Sequence, residues 1–193
     1  MDDAVSHYPG LIRSRIRQAG FGPRYLGLTL DTPVIQSLMD DPDVGPLVLH
    51  WMELVRSGVV IEAEGAFETC GKGLWLTGGK SDAVACAIAQ TLVIEGIASS
   101  AVYCNSEIFL DSERPEGLRE YRDLSYASGG IMVLSGYGFY RPSDWADLTL
   151  DNLLANRLHK GLPTLVSAKR KPPSMIAGLR SGDVFFPNIA VGG

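Results

Sequence analysis

Cysteine and histidine are scarce in this chain, with three of each among 193 residues. Cys70, Cys86 and Cys104 are an odd number without C-x-x-C spacing, which argues against a disulfide framework or a cysteine-rich metal site. Cys86 lies among alanines and Cys104 ends an apolar run, so both read as buried free thiols. His7, His50 and His159 are scattered and have no partner at ligand or triad spacing, which leaves nothing from which to build a zinc site or a Ser-His-Asp arrangement. No apolar run reaches the roughly eighteen residues that a membrane span needs. The opening "MDDAVSHYPG" is acidic where a secretion signal would be basic, so the expected location is cytoplasmic, with no membrane partner. A formal net charge of −5 removes whole-surface attraction to nucleic acid and leaves only a local basic patch for that purpose. Repeats and low-complexity segments are absent.

What the chain has is apolar content, 46% hydrophobic residues, enough for one domain with a substantial core. Residues 1–60 read as an N-terminal helical segment and 71–193 as an α/β core. "LIRSRIRQAG" (11–20) predicts a short helix with Leu11, Ile12 and Ile16 inward and Arg13 and Arg17 outward, stopped by Gly20. "FGPRYLGLTLDTP" reads as a loop. "VGPLVLHWMELVRSG" (44–58) predicts a helix with Pro46 in its first turn.

Beyond Gly71 strands and helices alternate. "GLWLT" (73–77) is a short apolar strand, and "DAVACAIAQTLVIEG" (82–96) is apolar all round, hence a buried helix. Strands follow at 100–105, 130–134, 163–168 and 183–191, the last demoted to an edge by Pro187. Helices are expected over 114–128 and 143–161, the second burying Leu150, Leu153, Leu154 and Leu158. Five strands linked by helices predict a three-layer α/β fold with a mainly parallel sheet.

"GLWLTGGKSDAVACAIAQTL" (73–92) has the outline of a phosphate-binding loop: strand, glycine turn with lysine, then helix. Together with "IRQAGFGPRYLGLTL" (16–30), "GGIMVLSGYG" and "SDWADLTLDNLLANRLHKGLPTLVSAK" (143–169), in this order, it resembles the AAA+ P-loop ATPase domain of DnaC-type helicase loaders and IstB-type transposition helper proteins. The resemblance covers about residues 12 to 190. It implies a RecA-like sheet in the order 5-1-4-3-2; the small helical lid domain of larger AAA+ proteins is expected to be absent. It also implies a place in DNA replication or a related DNA transaction.

The departures from that pattern bear on chemistry. A phosphate loop reads G-x-x-x-x-G-K-[ST]; its N–H groups cradle phosphate, its lysine neutralises charge and its hydroxyl holds magnesium. Here Gly78, Gly79, Lys80 and Ser81 form a shortened remnant lacking about three residues. Against the helix, Ser81 and Asp82 stand in the lysine and hydroxyl positions, and Asp82 would face a triphosphate as a like charge. The acidic pair expected after the Walker B strand is replaced by Ser135-Gly136. Lys169 fills the polar sensor position, and Arg180 is the one arginine left where relatives reach nucleotide. The expectation is a pseudo-ATPase with no catalytic residue, no metal and no cofactor, although Lys80 and a helix N-terminus would still attract an anion such as ATP.

If the site is dead, surfaces must act. "SGYGFYRPSDW" (135–145) gathers Tyr137, Phe139, Tyr140, Arg141 and Trp145, residue types favoured at protein interfaces, or else aromatic packing over the end of the sheet. Lys169, Arg170 and Lys171 end a strand where parallel sheets bind ligands, and with Arg13 and Arg17 they are the nucleic-acid candidates, or else solvated faces. The leading expectation is a catalytically inactive adaptor or regulator whose partner, by resemblance, is a replicative helicase, a true loader ATPase or a second copy of the chain. The rivals are a divergent ATPase loader that still binds ATP, and a single-stranded-DNA-binding module.

Overall fold

The computed structural model describes residues 5–57, 73–113, 130–171 and 188–191. Cys70, Arg180, the helix expected over 114–128 and the side chain of Leu158 lie outside the described residues. Three helices open the chain: α1 (Gly10–Gln18), α2 (Pro33–Met39) and α3 (Gly45–Ser57). Then come β1 (Gly73–Thr77), α4 (Ser81–Ile94), β2 (Ala101–Asn105), α5 (Ser106–Glu113), β3 (Ile131–Tyr137), α6 (Asp144–His159), β4 (Thr164–Ala168) and β5 (Asn188–Ala190). Helices α2 and α5 have no counterpart in the sequence reading. Both are short, and their apolar residues are too few to set a helical period.

Four parallel strands of five to seven residues make the body of the sheet, in the order β2-β3-β4-β1. The three-residue β5 pairs with β1 in the same sense, Leu76 opposite Ile189, so β1 is interior and the order is the one the resemblance implies. Of the strand expected over 183–191, residues 183–187 lie outside the described residues.

Strand side chains alternate between two cores, the period-2 geometry of a sheet covered on both faces. Leu74, Leu76, Ile131, Val133 and Leu165 point into one core with α1, α3 and α4. Trp75, Met132, Leu134 and Val166 point into the other with Phe109 of α5 and Leu150, Leu153 and Leu154 of α6. This explains why α4 is apolar all round: the sheet lies on one side of it and the N-terminal helices on the other. Its buried Gln90 holds the segment before α2, accepting from the Gly27 amide at 2.8 Å and donating to the Tyr25 carbonyl at 2.7 Å. Leu11 departs from expectation. It is 65% exposed, because α1 rests on the core through Ile16 and Ile12 and turns Leu11 outward.

Arg157 near the end of α6 is buried, and burial pushes its pKa down to about 10, so it stays charged at neutral pH. Its guanidinium donates to the carbonyls of Gly130 (2.9 Å) and Pro163 (3.1 Å) and to Thr164 Oγ1 (3.0 Å). The charge is thus dispersed over the residues that lead into β3 and β4. It pins that end of the sheet and leaves the carboxyl ends of the strands for other purposes. Among the described residues no helix is long and apolar enough to cross a membrane.

Candidate functional site

The carboxyl ends of β1, β3 and β4 carry most of the residues singled out above. Between β1 and α4 stand only Gly78, Gly79 and Lys80. Gly78 takes φ +106°, a conformation that side chains resist, and the Ser81 amide donates to the Gly78 carbonyl at 3.2 Å. The loop is one tight turn. The Ser81 hydroxyl is buried, donates to the Gly78 carbonyl at 2.8 Å, and shares a 2.7 Å hydrogen bond with Ser167 Oγ of β4. Lys80 is exposed.

Asp82, in the first turn of α4, accepts a hydrogen bond from the Tyr25 hydroxyl at 3.2 Å. The Arg24 guanidinium lies 4.4 Å from the centre of the Tyr25 ring and donates to the same hydroxyl. The helix N-terminus is therefore already faced by a carboxylate that belongs to the chain, where its dipole would otherwise favour a bound anion. Burial raises the pKa of Tyr25, and with it that of neighbouring Tyr103, to about 12 for the latter. Both rings stay neutral donors at physiological pH.

Near the end of β3, Ser135 and Gly136 have a structural consequence. Gly136 sits at φ +80°, and a β-carbon there would lie 3.2 Å from Ser106 Oγ. The β3–β4 register shifts between Leu134 and Tyr137, a bulge centred on this glycine. The bulge re-aims Tyr137 into the core, where its ring meets Trp75 edge-on at 4.9 Å and Tyr140 at 5.9 Å. Any side chain at position 136 would carry its β-carbon into the left-handed region, so this backbone favours glycine there.

No protein-family model and no curated protein matches the sequence. Solved structures do match. Domain III of the Thermotoga maritima replication initiation protein DnaA has a TM-score of 0.56 at 16% identity, over 87% of this chain and 68% of that one. DnaI gives 0.59 at 16% identity, over 89% and 95%. AMPPCP-bound DnaA from Aquifex aeolicus gives 0.56 at 10% identity over 87% of this chain, which spans 50% of that protein's length. The chain shares the α/β fold of these structures. At these identities the likeness is one of fold.

On this frame the candidate interface loop divides in two. Tyr137 and Tyr140 are buried, as the aromatic-packing alternative has it and not as exposed interface residues: their hydroxyls donate to Asp151 (2.8 Å) and Asp147 (2.6 Å) of α6. Burial first, then these hydrogen bonds, push both phenols well above the usual tyrosine range. Phe139, at 68% exposure, and Trp145, at 44%, do face solvent, and so does Arg141.

The basic run divides as well. Arg170 pairs with Asp147 at 2.7 Å, lies 5.6 Å from the centre of the Tyr137 ring, and its carbonyl accepts from Trp75 Nε1 at 2.8 Å. It is thereby engaged in holding the loop down. Lys169 and Lys171 are exposed, and the Lys169 ammonium lies 5.7 Å from the centre of the Phe139 ring. The structure thus brings the aromatic loop and the basic run into one surface. Arg13 and Arg17 stand elsewhere, on α1, which packs on α4 and β2. Burial raises the Cys86 thiol, and raises Cys104 to about 12, so neither forms a thiolate at neutral pH.

Asp147, Asp151 and Tyr25 were not visible as site residues in the sequence. Each gains its role from a partner on another element, and a lone Asp in a helix or Tyr in a loop carries no local signal.

Proposed function

We propose that the chain is a catalytically inactive AAA+ adaptor or regulator, acting through protein contacts in DNA replication or a related DNA transaction. The observation that carries this reading is the closed turn at the head of α4. Three residues replace the phosphate loop, and the Ser81 hydroxyl is committed to Ser167 and Gly78. The Ser135-Gly136 bulge supports it, since neither residue brings a carboxylate to hold magnesium or take a proton. The fold shared with replication initiation proteins supports the setting, and the exposed Phe139, Arg141 and Trp145 supply residue types that dominate binding hot spots. The partner, by resemblance, is a replicative helicase, a true loader ATPase or a second copy.

The test is co-elution of purified chain with the helicase and with the loader of its own host, alongside a magnesium-ATP turnover assay. Association without turnover fits the proposal. Turnover that vanishes in Lys80→Ala points instead to a divergent ATPase.

One observation favours a second reading, a site for single-stranded DNA. Lys169 stands over the exposed ring of Phe139 beside exposed Lys171, a combination of stacking surface and cations suited to bases and phosphates. Anisotropy of a labelled oligothymidine over a salt series tests it. Binding that weakens steeply with salt and is lost in Phe139→Ala with Lys169→Ala fits this reading.

A further inference from the structure

Among the described residues Phe139 is the most exposed large apolar side chain, at 68%, yet both of its neighbours are held. On one side Tyr140 is buried, and its hydroxyl donates to Asp147 Oδ1 at 2.6 Å. On the other, Gly138 takes φ +82° and lies against the Arg170 stem, since a β-carbon there would stand 3.4 Å from Arg170 Cγ. The Arg170 guanidinium goes on to donate to that same Asp147 oxygen at 2.7 Å. One carboxylate of α6 thus grips the turn through both flanks of Phe139. Two backbone hydrogen bonds close the turn, from the Phe139 amide to the Gly136 carbonyl (3.0 Å) and from the Lys169 amide to the Tyr137 carbonyl (2.9 Å). The second sets Lys169 beside the turn, its ammonium 5.7 Å from the centre of the Phe139 ring.

We infer that Asp147 and Arg170 are positioning residues for single-stranded nucleic acid: they hold the Phe139 ring beside the Lys169 ammonium, ready for a base and its phosphate. The inference rests on the single-strand reading and divides the basic run by role. An apolar ring free to move in water folds back on its own protein, so a turn that holds it outward removes an ordering cost that binding would otherwise meet. Arg170 is turned back onto Asp147, which leaves the phosphates to Lys169 and Lys171, both exposed. A ring face takes a base from a single strand, where bases are free to leave their own stack.

The full chain is titrated with labelled oligothymidine over a salt series, and amide hydrogen exchange is followed across residues 138–140. Asp147→Ala removes a negative charge, so charge alone would tighten binding. The clamp predicts the reverse: about tenfold weaker binding, faster exchange at the Phe139 amide and an unchanged salt slope. Lys169→Ala, by contrast, should lower that slope by about 0.7, the share of one single-strand phosphate contact. Asp147→Asn keeps an acceptor for both partners and should recover most of the affinity. Should Asp147→Ala melt early, Tyr140→Phe carries the test, because it keeps the buried ring, changes no charge and releases one grip. Its expected result is a smaller loss of affinity, again with faster exchange and the slope unchanged. Equal or tighter binding by Asp147→Ala, or unchanged exchange at Phe139, overturns the inference and leaves the single-strand reading standing. No binding of oligothymidine by the parent chain sinks that reading and the positioning role with it.

Discussion

Ser81 Oγ lies 2.7 Å from Ser167 Oγ, joining the head of α4 to β4 across 86 residues of sequence. Both side chains are buried, so removing one leaves the other hydroxyl without this partner. Ser81→Ala is expected to cost about 1 to 2 kcal/mol in urea denaturation. Ser81→Ala with Ser167→Ala should cost less than the sum of the single changes, because the second removes the group that the first orphaned. Strict additivity would mean that the two hydroxyls do not interact.

The tight turn also predicts the behaviour of Lys80. It is exposed, and Ser135 and Gly136 near the end of β3 carry no carboxylate. Lys80→Ala should leave the melting temperature unchanged, and parent and variant alike should release no phosphate from magnesium-ATP. A malachite-green assay reads the second point, and any turnover that depends on Lys80 contradicts it.

Asp151 gives a pH dependence of defined sign. Burial raises its pKa, and the hydrogen bond from the Tyr137 hydroxyl only partly opposes this. A carboxyl raised in the folded state holds its proton more tightly there than in the unfolded chain. Its contribution therefore favours folding at acid pH and is lost as pH rises through the folded value. Asp151→Asn keeps an acceptor for Tyr137 and removes the charge. The variant should melt higher than the parent at neutral pH, with the gap closing toward acid. A gap that widens toward acid would reverse the assignment.

The divided loop predicts divided phenotypes. Phe139→Ala with Arg141→Ala removes exposed side chains, so the thermal melt should be unchanged. Partner or self-association should weaken by about 2 kcal/mol. Tyr140→Ala empties a buried site and takes one of its two partners from Asp147, which keeps Arg170, and should destabilise by about 3 kcal/mol or more. Unchanged association in the folded double variant would leave the outer face of α1, with Arg13 and Arg17, as the next surface to examine.

Much of the α/β frame was legible in the sequence, because strand and helix periods are local. "GLWLT", the all-apolar 82–96 segment and the leucines of 143–161 each announced an element from its own residues. The short Gly78-Gly79-Lys80 turn and the Ser135-Gly136 pair were equally plain, since a motif's spacing is a property of the chain alone. Tertiary structure decided where the side chains went. Gly136 at positive φ bends β3 and turns Tyr137 inward, which removed two residues from a surface that composition alone suggested. Asp82 meets Tyr25 from 57 residues away, and Lys169 meets Phe139 from the next strand of the sheet. Sequence fixes which groups exist and their local period. Contacts between distant segments depend on strand order, register and bulges, which arise only when the two cores close on the sheet.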